Sequence, residues 1–285
     1  MVSEIVRSER LTVRSKGRDF GRLRIRVESV CLSACILLPY TVLWILSLGT
    51  GWDYPSLLPQ QRNLVPWHNL FSQSSGVLSG LLTAAWLSVT VSLLATISGL
   101  LISRILRRTR SWLLSFLVFL PWVLSPVVVA GCFYDLLVRC NLAGSVTGVI
   151  YSQAIFATAF AAVLFRDTWT DCMHRREALV RSLGGGTMDV WRHVVLPQSR
   201  PLILVCLVQT ALFSWLDYGF VSMIGGGRVQ TVTLRLFALI REASIHQAAL
   251  ASLLLALPSI MAVLFLFLKD SVTSFRWSVP SENLR

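Results

Sequence analysis

The chain has 285 residues, 54% of them hydrophobic and only 14% charged, with a mean hydropathy of +0.66. Soluble domains carry roughly 25% charged residues, so this composition excludes an ordinary soluble domain and points to an integral membrane protein. The formal net charge of +12 does not signal nucleic-acid binding. The basic residues punctuate apolar runs instead of forming one face with interleaved aromatics.

Six segments are long and apolar enough to cross a bilayer as helices, which takes about 20 residues each. They are 28–48, 77–103, 112–133, 148–167, 201–222 and 247–268, and they predict an all-α polytopic membrane protein. The first 26 residues hold eight Arg/Lys and three acids, and the first apolar run continues to Leu48 without an A-x-A-like cleavage site. An uncleaved first span is therefore expected. With the N-terminus inside, the inside segments 1–26, 104–111, 166–200 and 269–285 carry 21 Arg/Lys. The outside segments carry 5: Arg62, Arg139, Arg228, Arg235 and Arg241. Cytoplasmic loops are enriched in Lys and Arg, so both termini are expected in the cytoplasm.

In chain order, the external loop 49–76 offers Trp52, Tyr54, Pro55, Trp67 and Phe71, whose aromatic rings read first as interfacial anchors. Docking of a soluble partner is the second reading. The third span carries Pro121 and Pro126 in LPWVLSP. Proline frees backbone groups and kinks a membrane helix, either shaping a pathway or simply bending the span. The six cysteines (Cys31, Cys35, Cys132, Cys140, Cys172, Cys206) contain no CxxC pair and lie mostly in or beside apolar runs. They read as small buried hydrophobes, not as a metal or disulfide framework.

Between the fourth and fifth spans the pattern changes. Residues 177–197 read EALVRSLGGGTMDVWRHVVLP, with Glu177, Arg181, Asp189, Arg192 and His193 beside the triple glycine 184–186. Such charge and backbone cannot sit in lipid, so an ordered structure on one membrane face is expected. It reads as a short helix, a glycine break, and a second short amphipathic helix (Met188, Val190, Trp191, Val194, Val195). Leu196 and Pro197 then lead into the next span. Gly184 permits a reversal with φ > 0, and Pro197 begins the following helix, where its missing N–H costs little.

This pattern resembles the EAA loop of permease subunits of binding-protein-dependent ABC importers. The resemblance covers residues 77–268 and is most specific where Gly184 is followed thirteen residues later by Pro197. There is a departure: counting back from Gly184, the family's Glu-Ala-Ala falls on Ala178, Leu179 and Val180, so Glu177 sits one residue early. The resemblance implies the type I, MetI-like permease architecture, with a membrane core over 77–268 preceded by an N-terminal part over 1–76 and followed by a cytoplasmic tail over 269–285. It implies a coupling loop over 168–200 that docks into a cytoplasmic ATPase through Glu177, Ala178, Leu179, Gly184, Val195, Leu196 and Pro197. It further implies a second permease subunit, an external solute-binding protein, alternating access, and a multi-pass location in the cell inner (plasma) membrane.

A second matching region is Ser214 to Thr233, SWLDYGFVSMIGGGRVQTVT. Asp217 is the one carboxylate well inside a predicted span, and intramembrane ionisable groups face the protein interior or a cavity. With Pro121 and Pro126 it is a candidate for the translocation path or gate; a salt bridge to Arg228 or Arg235 is the alternative. Gly225, Gly226 and Gly227 read as a turn. No Walker A loop, HExxH or Gly-x-Ser-x-Gly elbow is present in the sequence, so neither ATP hydrolysis by this chain nor a catalytic centre is expected. No cofactor or metal site is expected either. The rival readings are a secondary transporter or channel without an ATPase, and an intramembrane enzyme. The substrate, whether thiamine, ferric iron, a polyamine or a sulfate-like solute, stays open.

Overall fold

The structure is a computed structural model that describes residue 34 and residues 37–50, 61–62, 76–109 and 111–274. The basic N-terminal segment, the loop residues Trp52, Tyr54, Pro55, Trp67 and Phe71, Cys31, Cys35 and the tail after Ser274 lie outside these. Contacts divide the chain into residues 1–66 and 67–285. In the first unit, helix α1 (Leu37–Leu48) is followed by a short antiparallel pairing of β1 (Gly49–Thr50) with β2 (Gln61–Arg62). The remainder of the expected first span, 28–48, falls outside the described residues. α1 itself is shorter than the about 20 residues a crossing needs.

The described residues of the second unit form helices joined by turns and short extended breaks. Its elements are α2 (Val77–Thr109), α3 (Trp112–Val123), α4 (Pro126–Arg139), α5 (Val146–Phe165) and α6 (Asp171–Ser182). These are followed by α7 (Thr187–Val190), α8 (Leu196–Leu216), α9 (Gly219–Ile224), α10 (Val232–Arg241) and α11 (Ile245–Ser274). Among the described residues, four continuous helical stretches are long and apolar enough to cross a membrane: Val77–Thr109, Val146–Thr168, Thr187–Leu216 and Ile245–Ala262. The pair α3 and α4 makes a fifth if it counts as one bent span.

Two apolar helices gain nothing by hiding from water inside lipid, so close backbone approach has to hold them together. α2 turns Ser88, Ser92, Ala95 and Gly99 inward, and α5 turns Ala154, Ala157 and Ala161 inward. A Cβ placed on Gly99 would collide with the Cβ of Ala161, so this crossing tolerates only glycine. The Ser98 and Thr158 hydroxyls hydrogen-bond across the same seam at 2.6 Å.

Two expectations about the spans need correction. The third span is not one helix over 112–133. α3 and α4 meet at a bend of 108°, with Leu124 and Ser125 both extended (ψ 152 and ψ 140). Proline disfavours helical backbone at the residue before it and starts a helix readily at its first position. Pro126 therefore ends one helix and opens another, whereas Pro121 sits inside α3 without breaking it.

The fifth span is likewise not 201–222. Its helix starts at Thr187 and ends at Leu216, because Asp217 turns extended (ψ 131) before the chain re-enters α9. The second short amphipathic helix is thus not separate from the span but continuous with it. The join is a π turn over Trp191–Val195, in which the Leu196 N–H donates to the Trp191 carbonyl. Pro197, the next residue, has no N–H to restore the i→i−4 ladder, and widened turns of this kind occur inside α-helices where the ladder slips.

Beyond α9 the glycines do form a turn, with Gly226 and Gly227 at φ +53 and +76 and the Arg228 N–H bonded to the Gly225 carbonyl at 2.9 Å. The cysteine reading needs correction too: Cys206 is buried, but Cys132, Cys140 and Cys172 are exposed. Two larger apolar clusters result. One joins Leu87, Val129, Phe156, Phe220 and Ile224 near α9. The other joins Leu100, Phe165, Trp169, Met173, Val190, Val194 and Val195 and anchors the polar segment between α5 and α8.

Candidate functional site

The polar segment folds as a knob built from α6, a glycine turn and α7. Thr170 opens α6, its hydroxyl accepting the Met173 N–H at 3.4 Å. The helix closes in a Schellman-type turn: the Gly185 N–H reaches the Val180 carbonyl at 2.9 Å, and the Gly184 N–H reaches that of Arg181 at 3.0 Å. Gly184 adopts φ +84, the left-handed conformation the sequence called for. The Gly186 N–H then donates to Asp189 Oδ2 at 2.8 Å, satisfying one of the orphan donors at the start of α7.

The knob has two faces. Met173, Val190, Val194 and Val195 point inward and are buried against Leu100, Phe165 and Trp169. Leu179, Leu183 and Met188 point outward, exposed at 61%, 80% and 78%. Three large apolar side chains so exposed on a short charged segment are a feature of the kind that marks an interaction site. Of the residues singled out in the sequence, Ala178, Leu179, Gly184 and Leu196 are exposed, and Pro197 is half-buried. Glu177 and Val195 are buried and belong to the inner face.

Glu177 has a partner that the sequence reading missed. Its Oε2 accepts from Arg104 Nη2 at 2.7 Å, with both side chains nearly buried. The guanidinium lies over two indole rings, 5.2 Å from the centroid of Trp169 and 5.0 Å from that of Trp191. Trp169 is itself held by a bond from Nε1 to Ser103 Oγ at 2.9 Å. Burial makes a carboxylate–guanidinium pair demanding, because desolvation competes with attraction. Here the indoles add cation–π contacts while the pair ties α6 to α2. The one available signal was Arg104 itself, an arginine still inside the helical run and a turn ahead of Arg107 and Arg108.

A second polar node sits at the break between α8 and α9. Asp217 Oδ2 accepts from Gln153 Nε2 at 2.9 Å and from the backbone N–H groups of Phe220 and Val221 at 3.1 and 3.3 Å. Gln153 Oε1 accepts from Ser214 Oγ at 2.7 Å, and all three side chains are buried. Asp217 thus faces the interior, as expected. Its hydrogen bonds run to an amide and to the start of α9, not to Arg228 or Arg235, and Arg235 pairs with Glu242 at 3.7 Å. Gln153, unremarked in the sequence, is the residue that joins α5 to this break. Pro121 and Pro126 are not part of the node; they shape α3 and the bend into α4.

The chain matches no protein-family model and no curated protein. It does match a solved structure described as the crystal structure of a bacterial ABC transporter involved in the import of the acidic polysaccharide alginate. The match has a TM-score of 0.54 at 17% sequence identity and covers 90% of this chain and 100% of that one. This chain shares its fold with a chain of that transporter structure. At this identity the likeness speaks for the fold alone.

Proposed function

We propose that this chain is the permease subunit of an ABC importer, forming half of a solute path and coupling it to a separate ATPase through residues 168–200. The observation that carries the reading is the exposed patch of Leu179, Leu183 and Met188, presented by a turn whose other face is locked into the bundle. The fold shared with an importer component supports it. The same patch on a secondary transporter or channel would have nothing to dock against.

In this reading the knob enters a groove of a cytoplasmic ATP-binding subunit. Ala178, Leu179, Gly184 and Leu196 lie at or near the contact, and Pro197 sits where the knob joins the membrane helix. Glu177 and Val195 serve from inside by fixing the knob to α2 and to the core. Closure of two ATPases on ATP draws two such knobs together. Because α7 runs without a break into α8, and Glu177 is tied to Arg104, the displacement passes into α8 and α2 as rigid levers. Asp217 lies at the far end of α8, where the path or gate is proposed, with the α3–α4 bend at Pro126 beside it in function. The complete system has a second permease copy or homologue, an external solute-binding protein, and a multi-pass location in the cell inner membrane with both termini cytoplasmic.

The direct test is Leu183→Asp with Met188→Asp. Both side chains are exposed, so folding and membrane insertion should be unchanged. Co-purification of the ATPase and solute uptake should be lost. Normal uptake with normal ATPase association would remove the knob from the coupling role.

A further inference from the structure

A cavity of 510 Å³ opens between the last turn of α2, the first turns of α3 and the end of α5. Arg107 and Arg166 line it, together with Ser111, Ser115, Trp112 and Phe116. The lining holds two cations and no carboxylate. Asp167 and Asp171 belong to a neighbouring cavity that shares the two arginines but lacks the Trp112 and Phe116 wall. Among the described residues, neither Arg107 nor Arg166 takes part in an ion pair.

The position of the cavity restricts its ligand. Arg107 lies in the last turn of α2 and Arg166 directly follows α5, so both stand where apolar helices leave the bilayer. Trp112 is 78% exposed at the same level, where indoles sit at the interface between headgroups and hydrocarbon. The lining therefore combines two guanidinium groups and serine hydroxyls with an indole and phenyl rings. A soluble anion has no use for the aromatic wall, and a zwitterionic lipid gains less from two unpaired guanidinium groups.

We infer that this cavity is a binding site for an anionic phospholipid of the leaflet it faces. Arg107 and Arg166 hold the phosphate by charge-assisted hydrogen bonds, Ser111 and Ser115 face the glycerol region, and the acyl chains lie along Trp112 and Phe116. Arg107 is one turn beyond Arg104, so an occupied cavity braces the end of α2 to which α6 is tied.

The test uses the full chain, purified in detergent with the subunits that accompany it, and reads the thermal midpoint with added lipid. Dioleoyl phosphatidylglycerol near 100 times its Kd should raise the midpoint by on the order of 5 °C. Dioleoyl phosphatidylcholine and inorganic phosphate should not. Arg107→Gln with Arg166→Gln should abolish most of the shift, whereas Arg139→Gln with Arg228→Gln, which removes the same charge at exposed positions elsewhere, should keep it. An equal shift with phosphatidylcholine, a shift with phosphate alone, or a full shift in the Arg107/Arg166 variant would each overturn the proposal. Should that variant not fold, native mass spectrometry of the unaltered protein from an equimolar lipid mixture decides. Retained phosphatidylglycerol should exceed retained phosphatidylcholine at least about tenfold, a 1.4 kcal/mol preference, and equal retention rejects the site.

Discussion

Arg104 and Glu177 stand 73 positions apart and meet at 2.7 Å, closing the end of α2 onto α6 beside the rings of Trp169 and Trp191. The second carboxylate oxygen, Oε1 of Glu177, is buried without a hydrogen-bond partner among the described residues. The pair is thus held by one strong bond and by its surroundings, not by a fully satisfied network. Breaking a buried pair from one side leaves an uncompensated charge and costs about 3–5 kcal/mol, whereas replacing both partners by apolar side chains is often nearly neutral. Glu177→Met and Arg104→Met should each lower the thermal stability of the purified protein strongly. The double variant should recover most of the loss. Additive losses would show that the pair does not act as a unit.

The bend between α3 and α4 raises a question that fusions can answer. At 108° the two helices form either one broken crossing or a re-entrant loop. A single broken crossing is needed to keep the 21-to-5 distribution of Arg/Lys consistent with an inside knob. Reporters fused after Arg107 and after Val279 should behave as cytoplasmic, and those after Pro59 and Ala143 as external. Matching signals at Arg107 and Ala143 would make α3–α4 re-entrant and reverse every later segment.

What could be read in advance was local. α2 and α5 announce themselves as apolar runs; α5 and the start of α2 fall within two residues of expectation, whereas α2 continues past 103 to Thr109. Gly184 was legible because only a left-handed residue closes a helix so sharply. The breaks were not. The apolar composition of 201–222 is blind to Asp217, whose partners Gln153, Phe220 and Val221 lie partly on another helix. Pro126 read as a kink because sequence does not say how far a chain turns at a proline. Arg104 counted only as a topology charge, since nothing near it in sequence points to Glu177.

Asp217 offers a second test. Its Oδ2 collects three hydrogen bonds, one from Gln153 and two from the start of α9. Asp217→Leu strands these donors in a buried setting, at about 1–3 kcal/mol for an unsatisfied group, and should destabilise the protein measurably. Asp217→Asn keeps one oxygen acceptor, so insertion and the thermal midpoint should stay near normal. If Asp217 acts in the path as proposed, uptake by the Asn variant should nevertheless fall. Full uptake with unchanged substrate affinity would leave Asp217 as the cap that shapes the break and nothing more.

Gly184 and Gly185 separate two reasons for being glycine. A Cβ on Gly184 would meet nothing within 4 Å, yet its φ of +84 is one that side chains rarely adopt. A Cβ on Gly185 would lie 2.6 Å from Val180 Cγ1 and 2.8 Å from the Val180 carbonyl oxygen. The cost at Gly184 is therefore conformational, on the order of 1–3 kcal/mol for a β-branched residue, and asparagine, which tolerates the left-handed region, should escape most of it. Gly184→Asn should retain uptake and ATPase association. Gly184→Val should stay inserted and still bind the external delivery protein. It should, however, weaken ATPase co-purification or uncouple hydrolysis from transport, because the angle between α6 and α7 sets how Leu183 and Met188 are presented. Gly51→Val, placed in the expected external loop, should do neither. If Gly184→Val is indistinguishable from Gly184→Asn in both assays, the turn does not set the docking geometry, and the coupling role assigned to the knob falls with it.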